Sequence, residues 1–175
     1  MIVITAGHHN NDPGAISNGF MESDLTKHLR EKISSYISPK YKVVKDQDSW
    51  TLSQTTSNIK TGSGSVTFDI HFNAGSPSAT GTEIFVPENA TPNELKIAHK
   101  IGFGVSKAIG IKYRGLKFPQ ESQRKTLGIF KFIGINMLIE VCFITNKDDL
   151  DKYFHSIESV AKLIAEVLME ADDLH

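Results

Sequence analysis

Residues 136–146 read Asn-Met-Leu-Ile-Glu-Val-Cys-Phe-Ile-Thr-Asn, a short apolar run closed by Thr145 and Asn146 and then by charge. A run this short and this apolar predicts a strand buried on both faces. It therefore restricts the chain to a sheet with cover on each side. The run also carries one carboxylate, Glu140. An ionised carboxylate there is costly unless it is paired, hydrogen-bonded or held on a metal. From this stretch alone, a salt bridge to a nearby lysine or arginine and a chemical role stand level.

The rest of the chain alternates strand-like and helix-like segments. Residues 1–5 predict a buried strand running into Ala6-Gly7-His8-His9-Asn10-Asn11-Asp12-Pro13-Gly14, turn chemistry that leaves His8 at the strand mouth. Leu25, Leu29, Ile33 and Ile37 recur every four residues and predict an amphipathic helix over 22–37, capped by Ser23 or Asp24. A second strand follows at 41–44, and a weak, Thr-rich helix at 52–60. Residues 66–72 form a strand carrying Asp69 and His71, and 81–86 another, ended by Pro87. Thr91 and Pro92 open a helix over 92–109 that Gly110 ends. Residues 111–123 read mostly as loop, 127–130 as a strand, and 148–154 and 157–168 as two closing helices. This order implies one α/β domain over residues 1–175, its sheet largely parallel with helices on both faces.

Composition narrows the classes of function. A net charge of −1 leaves no electrostatic footprint for nucleic acid or an anionic membrane. One cysteine allows neither an internal disulfide nor a Cys-based metal motif. No apolar stretch reaches the length of a bilayer span, so no membrane insertion is expected. Met1 leads directly into a strand-like run, and no signal peptide is expected in this chain.

Ligands of open α/β sheets gather at the carboxyl ends of the strands. His8, His71 and Glu140 fall at that edge, and Glu22, opening the first helix, can fold back to it. Two imidazoles and a carboxylate about one point suit Zn2+ with a fourth position for water. A further glutamate beside that water would serve as general base. The candidate ligands are scattered, with no compact His-Glu-x-x-His, so spacing leaves the plain ion-pair reading open.

Four blocks carry a resemblance that goes further. Gly7-His8-His9-Asn10-Asn11-Asp12-Pro13-Gly14-Ala15 with Asn18-Gly19-Phe20-Met21-Glu22-Ser23-Asp24-Leu25 resembles the opening motif of zinc-dependent N-acetylmuramoyl-L-alanine amidases. Asp69-Ile70-His71-Phe72-Asn73-Ala74 is similar to that family's second histidine motif, and Tyr113-Arg114-Gly115-Leu116-Lys117 to its later basic loop. Leu138 to Asn146 resembles its catalytic-glutamate motif. The blocks stand in the family's order from the first strand to the last helices.

The resemblance implies a single-domain twisted mixed, mostly parallel sheet of about six strands with helices on both faces. It implies zinc held by His8, Glu22 and His71, with Glu140 as general base and not as a fourth ligand. The implied reaction is hydrolysis of the amide joining the lactyl group of N-acetylmuramic acid to L-alanine in peptidoglycan, by zinc-activated water. The chain departs from the family in having His9-Asn10 where relatives often carry two glycines. It also has Lys45-Asp46-Gln47-Asp48 and Gln54-Thr55-Thr56 where they often carry arginines. Regulated relatives bear an extra helix over the site; the segment Gly75–Thr80 is too short for one, so an open groove is expected.

Other residues admit plainer readings. Asn73 and Arg114 are candidate substrate contacts, Arg114 through its fork on a stem-peptide carboxylate, against a turn residue and a solvated surface arginine. Asp69 can accept from a ligand histidine or simply face solvent. His9 suits the rim, and His28, His99, His155 and His175 carry no role. Cys142, on the Glu140 face by period two, suits an apolar interior better than a nucleophile's setting. Tyr113 and Phe118 could flank a sugar ring. Rival functions are a zinc peptidase of the stem peptide and a wall-binding module without catalysis. The expected place of action is the bacterial cell wall, reached by phage-type release or as a trimmed domain of a longer protein, and the expected state is a monomer.

Overall fold

The computed structural model describes residues 1–122 and 124–174. In chain order the elements are β1 (Ile2–Ala6), β2 (Ile16–Ser17), β3 (Phe20–Met21), α1 (Glu22–Tyr36), β4 (Val43–Lys45), α2 (Leu52–Asn58), β5 (Val66–Asn73), β6 (Thr82–Phe85), α3 (Pro92–Ile109), β7 (Tyr113–Lys117), β8 (Ile135–Phe143) and α4 (Lys147–Asp172). Two 3-10 turns, Pro119–Glu121 and Gly128–Lys131, lie between β7 and β8. Six strands form one sheet in the order β4-β1-β5-β8-β6-β7. β4, β1, β5 and β8 run parallel; β6 is antiparallel to β8, and β7 is parallel to β6. The sheet is mixed and mostly parallel, as the chain order implies.

Strand alternation sorts the sheet into two faces. Ile2 and Ile4, Phe68 and Ile70, and Met137 and Ile139 pack under α1, α3 and α4 in the main core. Val3, Phe85 and Leu138 face the other way, under Ile59, Ile129 and Phe132. Three long helices thus cover one face, and among the described residues α2 with the second 3-10 turn covers the other. Thin cover over that second face leaves room for a cleft, and the alternation of β5 sends Asp69 and His71 toward it.

Four local expectations are corrected. Residues 113–117, read as loop, form edge strand β7, because the chain leaving α3 at Gly110 (φ 77°) turns back along β6. Residues 127–130, read as a strand, form a 3-10 turn whose Ile129 caps the second face. The two closing helices are one, since the stripe Leu150, Tyr153, Ile157, Val160, Ile164 and Leu168 stays buried without a break. Neither Ser23 nor Asp24 caps α1: the cap position is Met21, with no side-chain bond, because the β2–β3 hairpin feeds straight into the helix.

A bulge explains a fifth. His71 pairs with Glu140 but Asn73 pairs with Phe143, so β8 carries one extra residue there. The shift carries Cys142 away from the Glu140 face and into the main core, where it is fully buried.

Candidate metal centre

Three strands and one helix deliver the site from the second face and its upper edge. His8 follows β1, His71 is the sixth residue of β5, Glu140 is the sixth of β8, and Glu22 opens α1. His8 adopts φ 69°, an uncommon conformation for a non-glycine residue. The backbone around it is pinned: Gly7 N–H donates to Ile70 O at 2.8 Å, Asn10 N–H to Asp48 O at 2.7 Å, and Thr26 Oγ1 to Gly7 O at 2.9 Å. Buried Asp46 accepts from Ala6 N–H at 3.2 Å and from Arg30 at 2.7 Å. Asp46 and Asp48 are thus both paired with Arg30 from α1.

Glu22 is the hub. Its Oε2 lies 2.9 Å from His8 Nε2 and accepts from Ala15 N–H at 3.0 Å. Its Oε1 lies 3.0 Å from His71 Nδ1 and accepts from Phe72 N–H at 3.0 Å. One donor atom each from His8, Glu22 and His71 fall within 4.8 Å of one another. Tetrahedral zinc, with bonds of about 2.0–2.1 Å, sets its ligands roughly 3.4 Å apart, so small outward shifts would accommodate it.

Both histidines are backed by a carboxylate on the far nitrogen. His8 Nδ1 lies 2.9 Å from Asp12 Oδ2, and His71 Nε2 lies 3.3 Å from Asp69 Oδ2. Asp69 is buried and also accepts from Thr5 Oγ1 at 2.6 Å. Such partners fix ring orientation and raise ligand basicity. Of the two readings of Asp69, the exposed strand position is excluded.

The electrostatics follow from this packing. Burial alone would strip the proton from His71, but Asp69 and Glu22 outweigh it and hold its pKa well above the ordinary value. His8 is raised by the same balance, with Glu22 and Asp12 opposing burial. Burial works against the charge of Glu22 too, yet the two imidazoles hold its carboxyl far below the usual range.

Glu140 differs. Desolvation, with Glu22, Glu83 and Asp69 nearby, pushes it up to about 8 against the pull of His71. Its residue is half-buried, and its Oε2 is sealed from solvent with no hydrogen-bond partner. Among the described residues no lysine or arginine forms a salt bridge with it.

A cleft of about 470 Å³ opens over these groups. Asn73 and Arg114 both border it, but both are committed to Glu83: Asn73 Nδ2 donates to Oε1 at 2.7 Å and Arg114 Nε to Oε2 at 2.8 Å. The Arg114 guanidinium also lies over the Phe143 ring at 5.1 Å. Glu83 escaped the reading of the sequence. Its signal was the one that exposed Glu140, a lone carboxylate in the short apolar strand Thr82-Glu83-Ile84-Phe85.

The remaining candidates fall elsewhere. His9 borders a smaller neighbouring cavity and is not in the metal-binding group. His28 and His155 lie on α1 and α4, and His99 stacks on Phe103; His175 lies outside the described residues. Tyr113 packs against His99 and Phe103, and neither it nor Phe118 borders the cleft. The segment between β5 and β6 holds no helix among the described residues.

Comparison with known proteins agrees with this geometry. A family model described as N-acetylmuramoyl-L-alanine amidase matches residues 2–170. An uncharacterized protein of Bacillus subtilis, YqiI, is 28% identical over 156 residues, covering 86% of this chain and 73% of its own length. The endolysin of Bacillus phage SPP1 is 26% identical over 184 residues, covering 96% of this chain and 66% of the endolysin. Among solved structures, the catalytic domain of CwlV, an N-acetylmuramoyl-L-alanine amidase from Bacillus (Paenibacillus) polymyxa var. colistinus, superposes with a TM-score of 0.81 at 24% identity. That superposition covers 99% of this chain and 98% of the other.

Proposed function

The chain belongs to the N-acetylmuramoyl-L-alanine amidase family, and from that premise we propose how its own residues carry the reaction. His8 Nε2, His71 Nδ1 and a Glu22 oxygen hold Zn2+, leaving Glu140 as the free carboxylate of the site. The observation that carries this is the double backing of the histidines. Each of the two offers one nitrogen to Glu22 and the other to its own aspartate. The donor set, two imidazoles and one carboxylate, suits zinc in a catalytic site with an open position. Zinc bound there supplies Lewis-acid chemistry, acidifying water and polarising an amide carbonyl.

The protein groups do the rest. Asp12 and Asp69 hold the imidazoles in the tautomers that present the required nitrogens. Glu140, in register with His71 and without a salt bridge among the described residues, takes a proton from the attacking water and returns it to the departing L-alanine nitrogen. Desolvation raises its basicity toward neutral pH, where a general base works best. Glu83 holds Arg114 and Asn73 at the cleft, where Arg114 meets the stem peptide. The proposed setting is the bacterial cell wall, with the chain acting as a monomer and without nucleic acid; no described helix is long and apolar enough to cross a membrane.

The test is metal analysis combined with digestion of purified peptidoglycan. One zinc per chain and fragments ending in a free lactyl carboxyl and a free L-alanine amino group support the reading. Ends within the stem peptide would make the chain a peptidase, and wall binding without new ends would make it a non-catalytic module.

A further inference from the structure

Two cavities meet at the metal ligands. The larger, about 470 Å³, spreads over β5, β8 and β6; the smaller, about 170 Å³, lies over β1 beside Trp50 and Thr55. His8 and His71 border both. An amide cut at those ligands has two halves, and the two cavities offer one place for each.

The two halves differ in charge. The glycan is a chain of rings bearing hydroxyl and acetamido groups, and its lactyl carboxyl is consumed in the amide. The stem peptide carries free carboxylates. Arg124 borders both cavities and does not distinguish them; the larger adds Arg114 with its partner Glu83, groups suited to charged peptide.

The smaller cavity offers an indole instead. Its carboxylates are already engaged: Asp12 with His8, Asp46 with Arg30, and Asp69 with His71 and Thr5. Beyond Trp50 the surface is uncharged for the whole of α2. Thr51, Ser53, Gln54, Ser57 and Asn58 are exposed there, all hydrogen-bonding and none ionisable. An aromatic face beside neutral donors and acceptors matches a sugar's alternation of C–H faces and hydroxyl edges.

We infer that the smaller cavity and the exposed side of α2 form the glycan subsite, with the N-acetylmuramoyl ring against Trp50, and that the larger cavity takes the stem peptide. The inference rests on the amidase reading. It assigns the sugar-flanking role to Trp50, which borders the smaller cavity, and not to Tyr113 or Phe118, which border neither.

Trp50 is the chain's single tryptophan, so its emission reports on this subsite alone. Peptide-free chains of alternating N-acetylglucosamine and N-acetylmuramic acid, added to zinc-stripped protein, shift or quench that emission saturably, while free stem peptide does not. In parallel, Trp50→Ala lowers kcat/KM on N-acetylmuramoyl-peptide by about tenfold, a typical cost of truncating a buried aromatic anchor. It leaves cleavage of the lactyl-peptide lacking the sugar unchanged, and Trp50→Phe restores most of the loss. Emission unmoved by glycan, emission that follows the peptide, or equal losses on both substrates overturns the subsite. The fluorescence measurement uses the unaltered chain, so a misfolded variant cannot hide the answer. Wild-type protein that binds zinc but cleaves neither substrate removes the amidase reading, and this inference with it. Wild-type protein that cleaves both while glycan leaves its emission unmoved overturns this inference alone.

Discussion

Glu140 and Glu83 stand directly opposite each other in the antiparallel pairing of β8 with β6. Only one of them is neutralised. Glu83 is held by Arg114 and Asn73, whereas Glu140 Oε2 is buried without a partner. That contrast separates a carboxylate that builds the cleft wall from the one proposed as general base.

Glu140→Gln keeps the shape and removes the base. Turnover of purified peptidoglycan should fall by about 10²–10⁴-fold, the usual worth of a positioned acid–base group. Zinc content should be unchanged, because Glu140 is not in the ligand group. Digestion and metal analysis on one preparation check both; native turnover by the variant would remove Glu140 from the mechanism.

The same substitution has a signature in stability. Glu140 has an ordinary value of 4.5 and is pushed up to about 8 in the folded protein. Between those values the unfolded chain has lost a proton that the folded one keeps, so stability is full below the lower value and is lost as pH rises through the upper. In zinc-stripped protein, the Tm of wild type relative to Glu140→Gln should therefore decline across that window. A constant difference would show that the carboxyl is not desolvated.

Zinc binding should release protons. His8 and His71 are both raised above 6.5, and both must be neutral to bind a metal. Affinity should fall as pH drops through and below neutrality, with an enthalpy that varies with the ionisation heat of the buffer. Calorimetry in two buffers at one pH measures the number released; a buffer-independent enthalpy would contradict the proposed ligands.

Asp69→Asn removes the negative charge behind His71 while preserving the side chain's size. Loss of such a partner typically weakens metal affinity about 10–100-fold. Competition with a chelator of known affinity reads this directly. Asp12→Asn should act in the same direction on His8 and less strongly, since Asp12 is more exposed than Asp69.

Gly14 admits no side chain. A Cβ there would lie 2.7 Å from both His8 Nε2 and Glu22 Oε2, at φ 67°. Gly14→Ala should lose zinc and lower Tm. Gly19→Ala, also at positive φ (82°) but facing open space, should keep zinc and show only the backbone cost. Metal content of the two variants side by side separates contact from strain.

Much of this arrangement could be read along the chain, because the signals were local. The apolar run around Glu140 marked a buried strand with an expensive charge, and β8 is such a strand. Four-residue periodicity located α1, and the Thr91–Pro92 start and Gly110 stop bounded α3 at Pro92 and Ile109. His8, Glu22 and His71 could be named because each sits in a motif block, and the fold brings them together.

The rest required residues distant in sequence. β7 exists because β6 offers it an edge, and residues 127–130 became a 3-10 turn because the second face needed cover. The bulge that moved Cys142 into the core is a property of two strands, invisible in one. So is the commitment of Arg114 to Glu83, 31 residues away. The sequence by itself determined which side chains are the candidates for the chemistry, since residue type and strand periodicity are written locally. Tertiary structure alone decided which of them are paired and which are left free, because pairing and desolvation depend on neighbours that only the folded sheet supplies.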